Sequence, residues 1–145
     1  MSNTDVLRET EADLLPDGFE LDHVFDIQLP DYSAFAEVDG WNPETGEAIE
    51  ICQSESILGT PKPGQKRKMA SDVLKLVFLI EQGLIVSGRV IVTSVEMYTW
   101  LHQSGSWLSA ACRTFQIHVE LKKHARKSLR KKIRNAISQA RREMK

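Results

Sequence analysis

The sequence has little cysteine, no long hydrophobic run and almost no positive charge in its first 60 residues. Each scarcity excludes something. Two cysteines in 145 residues, Cys52 and Cys112, make neither a CxxC pair nor a disulfide framework, which fits a reducing, cytoplasmic setting. The most apolar stretch, 73-VLKLVFLIEQGLIV-86, is broken by Lys75 and Glu81, so no membrane span is expected. The acidic start, MSNTDVLRETEAD, has no apolar core, and no signal or transit peptide is expected there. There is no glycine-rich phosphate loop and no GxSxG. His23, His102, His118 and His124 have no zinc-like spacing with one another or with the cysteines. Trp41, Trp100 and Trp107 are too scattered in sequence to form a base-stacking platform, and core or cleft-wall roles fit them. The 41% hydrophobic and 27% charged residues match one ordinary globular domain.

What the chain does have is segregated charge. The net charge is −1, yet residues 1–60 hold 15 acids and one base, Arg8, while residues 61–145 hold 18 bases and 5 acids. Residues 122–145 alone carry 11 bases against Glu143. Segregation on this scale points to a polyanionic or otherwise charged partner.

Hydrophobic periodicity sets out the elements. Residues 4–15 read as a short helix ending before Pro16, and 19-FELDHVFDI-27 alternates as an edge strand would. After Pro30, residues 34–41 and 48–54 read as two strands joined by the turn 42-NPETGE-47. Met69, Val73, Leu76, Val77 and Ile80 keep helical spacing from Lys66 to Gln82, and Gly83 is a natural stop. A β-branched strand at 88–94, a helix at 95–102 broken by 104-SGS-106, and a strand at 114–121 follow. The tail is basic except for one stripe, Leu121, Ala125, Leu129, Ile133, Ile137 and Ala140, which reads as an amphipathic helix. The order argues for an α/β domain with a mixed central sheet flanked by helices over residues 1–121, and a basic C-terminal helix over 122–145.

The hairpin raises a physical question. If Pro43 to Gly46 form a four-residue loop, Asn42 pairs with Glu47, Asp39 with Glu50, and Glu37 with Cys52. Like charges directly across a strand pair lie about 4.5–5.5 Å apart at Cβ and destabilise it. Val38, Ile49 and Ile51 would face the core and the acids a cleft or solvent. Either the carboxylates splay into water on a solvated face, or a hard divalent cation lies between them.

The array 37-EVDG-40, 49-IEIC-52 and 66-KRKMASDVLKLVFLIEQGLI-85, followed by 89-RVIVT-93, resembles the PD-(D/E)XK nuclease superfamily, which includes many type II restriction endonucleases. The resemblance spans residues 31–121 and its motif is short. It implies a restriction endonuclease-like fold and a magnesium- or manganese-dependent nuclease, of DNA rather than RNA, serving restriction, repair or defence. At this size the protein would act as a homodimer or with modest specificity. The resemblance maps Asp39 and Glu50 onto the metal ligands, with the Ile51 carbonyl completing the inner shell. The literal Pro30-Asp31 dipeptide offers Asp31 as an alternative to Asp39. Glu9 and Glu11 are either outer-shell acids, as in some relatives, or plain surface residues. Cys52 occupies the position of the family lysine and cannot supply its charge. Lys66 or Lys68 on the following helix could supply it instead, Gln53 could position water, or both lysines could simply be a solvated helix start. A non-catalytic nucleic-acid-binding protein that kept the fold is the rival reading.

The tail fits the same picture. Lys122, Lys123, Arg126, Lys127, Arg130, Lys131, Lys132 and Arg134 would hold a phosphate backbone, although a basic helix of this kind can also dock on an acidic surface. Removing residues 122–145 is expected to weaken nucleic-acid binding and flatten its salt dependence in filter-binding titrations, because each phosphate contact releases counterions. An unchanged salt slope would show that these bases are not the binding surface.

Overall fold

The computed structural model describes residues 11–53 and 61–122. Residues 11–14 are helical. Strands β1 (Glu20–Leu29), β2 (Tyr32–Asn42) and β3 (Glu47–Cys52) come next, followed by helix α1 (Pro63–Glu81). Strand β4 (Ser87–Val92), helices α2 (Val95–Leu101) and α3 (Trp107–Thr114), and strand β5 (Ile117–Leu121) complete it. The five strands lie in chain order, β1-β2-β3-β4-β5. The first two pairings are antiparallel and the last two parallel, with α1 making the crossover that a parallel β3–β4 pair requires.

The turns explain the meander. Leu29 pairs with Tyr32, so Pro30 and Asp31 alone form the β1–β2 turn, where proline's fixed φ and missing N–H are no handicap. Asn42 pairs with Glu47 across the four-residue loop, as the sequence predicts. Asn42 Oδ1 accepts from the Glu44 N–H at 3.0 Å, and the Gly46 N–H donates to the Asn42 carbonyl at 2.8 Å. Gly46 supplies the positive φ of 75° that closes the loop.

The sheet is covered on both sides. On one, Ala48, Cys52, Val90 and Val92 pack against Met69, Val73, Leu76 and Leu79 of α1 and against Met97, Leu101, Leu108 and Cys112 of the two short helices. On the other, Ile49, Ile51 and Ile91 are sealed by Leu14, with Leu15 and Phe19 beside it. Strand β3 is therefore buried on both faces from Ala48 to Cys52. That departs from the half-buried hairpin the alternation suggests. The segment expected to form a basic C-terminal helix lies, after Lys122, outside the described residues, and with it Lys123, Arg126, Lys127, Arg130, Lys131, Lys132 and Arg134.

Helix α3 is the element the sequence reading misses. It starts at Ser106, whose hydroxyl accepts from the Ser109 N–H, and buries Leu108 and Cys112 at i, i+4 spacing. Eight residues ending in a β-branched threonine and followed by an aromatic read more easily as an approach to the next strand.

Close packing of α1 on β4 depends on Gly88, where an added Cβ would meet Leu76 at 3.2 and 3.3 Å. Gly88→Val is expected to cost about 1–3 kcal/mol by overpacking, read as a lowered midpoint in urea unfolding. Gly64→Ala, with nothing within 4 Å, should be neutral or slightly stabilising in the same assay.

Candidate metal centre

Asp39 and Glu50 are brought together, though not as a simple opposed pair. The β2–β3 ladder ends at Gly40↔Ile49. One step further the strands part, and Asp39 Oδ2 reaches across to accept from the Ile51 N–H at 2.7 Å. In extended backbone the N–H and C=O of one residue leave from the same edge, so the Ile51 carbonyl also projects toward Asp39. Glu37 and Cys52 lie beyond the ladder and do not oppose each other within it.

The ladder on the other edge of β2 is interrupted at the same residue. Asp22 lies across from Asp39, between the pairs Leu21↔Gly40 and His23↔Val38, and has a φ of 56°. Asp tolerates this left-handed conformation better than most residues but still at a cost of about 1–2 kcal/mol. Side-chain alternation breaks there. Trp41 lies opposite Ala48 and packs on the main core, and so does Val38, three residues earlier. Strict alternation would set the two on opposite faces. Glu50 is thus on the side away from Ile49 and Ile51, as expected, but it shares that side with Val38.

Glu50 is not on a solvated face. Its exposure is 3%, beneath α1. Among the described residues, the cation that reaches it is Lys75, whose Nζ donates to Glu50 Oε1 at 3.0 Å and to the Glu37 carbonyl at 2.9 Å. One turn earlier on α1, the buried Asp72 accepts from Lys68 Nζ at 3.0 Å. Burial is the main reason that the Glu50 carboxyl is pushed up to about 8. Repulsion from Asp39 and Asp72 adds to it, and Lys75 offsets only part of it. Asp39 is also raised, first by burial, against the Ile51 N–H and the two lysines that favour its charged form. Burial works against the Lys68 ammonium, but Asp72, Cys52 and Asp39 together raise its pKa.

A second group of acids meets the first at Asp39. Carboxylate oxygens of Glu11, Asp22 and Asp39 lie within 4.8 Å of one another, half-buried, in an arrangement that could hold a metal ion. Glu9 lies outside the described residues. All these ligands are hard oxygens, which suits magnesium or manganese better than a soft-ligand metal.

The remaining sequence candidates are placed as follows. Asp31 occupies the exposed β1–β2 turn, and the eight residues of extended strand separating it from Asp39 span about 26 Å. It does not join the acids. Cys52 is buried in the main core, with Gln53 directly after it. Lys68 stands beside Asp72. Lys66 points the other way, its Nζ 5.4 Å from the centroid of the Trp100 ring. Lys122 Nζ donates to the Leu14 carbonyl at 2.9 Å.

Three contributors were not anticipated from sequence: Asp22, Asp72 and Lys75. For two of them a signal existed. Lys68, Asp72 and Lys75 fall at i, i+4 and i+7, one flank of the helix beside the stripe Met69, Val73 and Leu76. A charged row bordering a buried stripe is what a helix laid over a polar site requires. No protein-family model, no curated protein and no solved structure matches the chain.

The raised Glu50 carboxyl has a measurable consequence. The folded chain holds a proton that the unfolded chain has lost between about pH 4.5 and 8, so stability falls as pH rises through that window. Urea denaturation of the metal-free protein should show this decline, a few kcal/mol in size, and Glu50→Gln should remove most of it while raising stability above pH 8. A Glu50→Gln curve with the wild-type slope would show that Glu50 is not the buried proton carrier.

Proposed function

We propose that this chain is a divalent-metal-dependent phosphodiester hydrolase acting on nucleic acid, with DNA as the first substrate to test. The reading is carried by one observation: buried Glu50, beside Asp39 on the neighbouring strand, faces an ammonium delivered by helix α1. Two carboxylates on adjacent strands with a lysine next to them is the constellation the PD-(D/E)XK resemblance implies. Here Lys75 reaches from the helix what a lysine at position 52 would reach from the strand.

The residues fit a hard cation. Asp39 would hold it together with Glu50 and the Ile51 carbonyl, or with Glu11 and Asp22, Asp39 being common to both sets. Bound there, magnesium or manganese would polarise the phosphate and lower the pKa of a coordinated water. The chain's own groups do the rest. The Ile51 N–H fixes the Asp39 carboxylate so that its second oxygen is presented to the site. The Glu37 carbonyl steadies the Lys75 ammonium, and that ammonium offsets the negative charge that builds on the phosphate during attack. Lys68 is held near the same acids by Asp72, where it can meet a neighbouring phosphate. Burial of Glu50 under α1 keeps the local dielectric low, which strengthens each of these interactions.

The test is cleavage of supercoiled plasmid and of single-stranded DNA in Mg2+ or Mn2+, together with calorimetric metal binding. Cleavage is expected in metal and none in EDTA. Asp39→Asn should abolish both metal binding and cleavage. Lys75→Met should leave metal binding in place and lower cleavage by about 10²–10³-fold, the loss typical of one preorganised charge. Nucleic-acid binding by the wild type with neither metal binding nor cleavage would make the chain a non-catalytic binding protein.

A further inference from the structure

The flank of α1 turned away from the acids builds a different feature. Residues two apart lie about 200° apart round a helix, so Lys66 and Lys68 leave α1 on opposite sides. On the Lys66 side, Trp100, Tyr98 and His102 line an open cavity of about 650 Å³ together with Lys66 and Pro61. That volume is in the range of small-ligand sites. The Tyr98 and His102 rings lie 4.2 Å apart, and His102 Nδ1 sits 2.8 Å from the Tyr98 carbonyl, so both rings are positioned by α2 itself. Trp100 packs partly on the core and is half-buried, leaving part of its ring to the cavity.

Charge names the occupant. Residues 61–71, which lead into and begin α1, carry Lys62, Lys66, Arg67 and Lys68 and no acid, and the first helical turn has none either. Among the lining residues the acid is Glu96, which belongs to the first turn of α2. An aromatic wall next to a basic helix start suits a ligand that is flat and apolar at one end and anionic at the other.

We infer that this cavity receives an unstacked nucleotide of a single-stranded segment adjoining the phosphate to be cleaved, its base against Trp100 and its phosphate against Lys66. The inference rests on the nucleic-acid reading above. A base entering the cavity displaces the Lys66 ammonium from the Trp100 ring toward the phosphate joined to that base. The body of α1, about 10–12 Å across, separates the cavity from Lys68 and Asp72. A strand at the stacked spacing of about 3.4 Å per nucleotide spans that in roughly three nucleotides, and an unstacked one in fewer. The strand would cross the basic start of α1, with the cavity on one flank and the acids on the other.

The experiment is titration of a short oligodeoxythymidylate, in EDTA at low salt, into a Trp41→Phe/Trp107→Phe protein whose remaining tryptophan is Trp100. Fluorescence quenching is expected, since base stacking on an aromatic ring is sequence-tolerant and strong. By fluorescence anisotropy of a labelled oligonucleotide, Trp100→Leu and Lys66→Ala should each weaken single-strand binding about tenfold, and Trp100→Phe should retain most of it. Because Trp100→Leu touches the core, circular dichroism checks its fold. If that variant does not fold, the quenching of Trp100 in the single-tryptophan protein and the affinity of Lys66→Ala decide. Wild-type affinity in folded Trp100→Leu and in Lys66→Ala, or no quenching on binding, would overturn the cavity while leaving the metal centre intact. No oligonucleotide or duplex binding by the wild type at all would overturn this inference together with the nucleic-acid reading. Metal binding lost on Asp39→Asn beside an unaltered Trp100 response would overturn neither the cavity nor its occupant, and would support them as independent of the acids.

Discussion

A carboxylate that is almost wholly enclosed, with two more carboxylates within electrostatic reach, is a costly group to bury. Removing a charge from water is unfavourable unless an opposite charge or a proton comes with it. Much of the architecture answers that constraint. Helix α1 lies where Lys75 can reach Glu50, the strand pair opens so that Asp39 can take the Ile51 amide, and Asp72 is paired with Lys68. An ordinary core would place a leucine or valine at position 50, between Ala48 and Cys52, and need none of these arrangements. Keeping an acid there makes sense if it does chemical work, which is the role proposed for it above.

The two halves of the charge distribution meet at this point. Asp39 and Glu50 come from the acidic first part of the chain, Lys68 and Lys75 from the basic remainder. Arg89 repeats the pattern on the sheet, bridging Glu47 at 2.7 Å and Glu120 at 3.0 Å across three strands. Part of the segregation seen in the sequence is thus satisfied within the fold. The basic start of α1 is less completely matched, since Lys62 and Arg67 are exposed there and no acid shares its first turn.

The strand and helix order was largely legible because alternation and helical spacing are local properties. The meander, the loop at 43–46, the α1 stop at Gly83 and the register Asn42↔Glu47 all come from short patterns with a direct physical cause. What was not legible depended on long-range geometry. Asp22 reads as one polar residue in an alternating strand, and only its left-handed backbone opposite Asp39 gives it a place among the acids. Lys75 reads as an interruption of an apolar run, and its role follows from the crossover that lays α1 over β3. Lys66 and Lys68 look equivalent in sequence, yet the helix sends them to opposite flanks. Trp100 looks isolated until α2 sets it beside Tyr98 and His102.

The loop at the far end of the hairpin has its own consequence. The Val86 N–H donates to the Gly46 carbonyl at 2.8 Å, and a Cβ on Gly46 would strike Val86 Cγ2 at 2.7 Å, so the loop is clipped against the start of β4. A slip of one residue between β2 and β3 would turn every side chain to the wrong face, and the clip opposes it from a point that carries none of the acids. The end of the hairpin away from the acids is therefore aligned by residues other than the acids. Glu50 takes no part in the clip, whereas Asp39, through the Ile51 amide, adds a tie of its own where the ladder ends. The hairpin is in that sense a mount bolted at its far end, where substitutions of the acids leave the loop's hold on β4 in place.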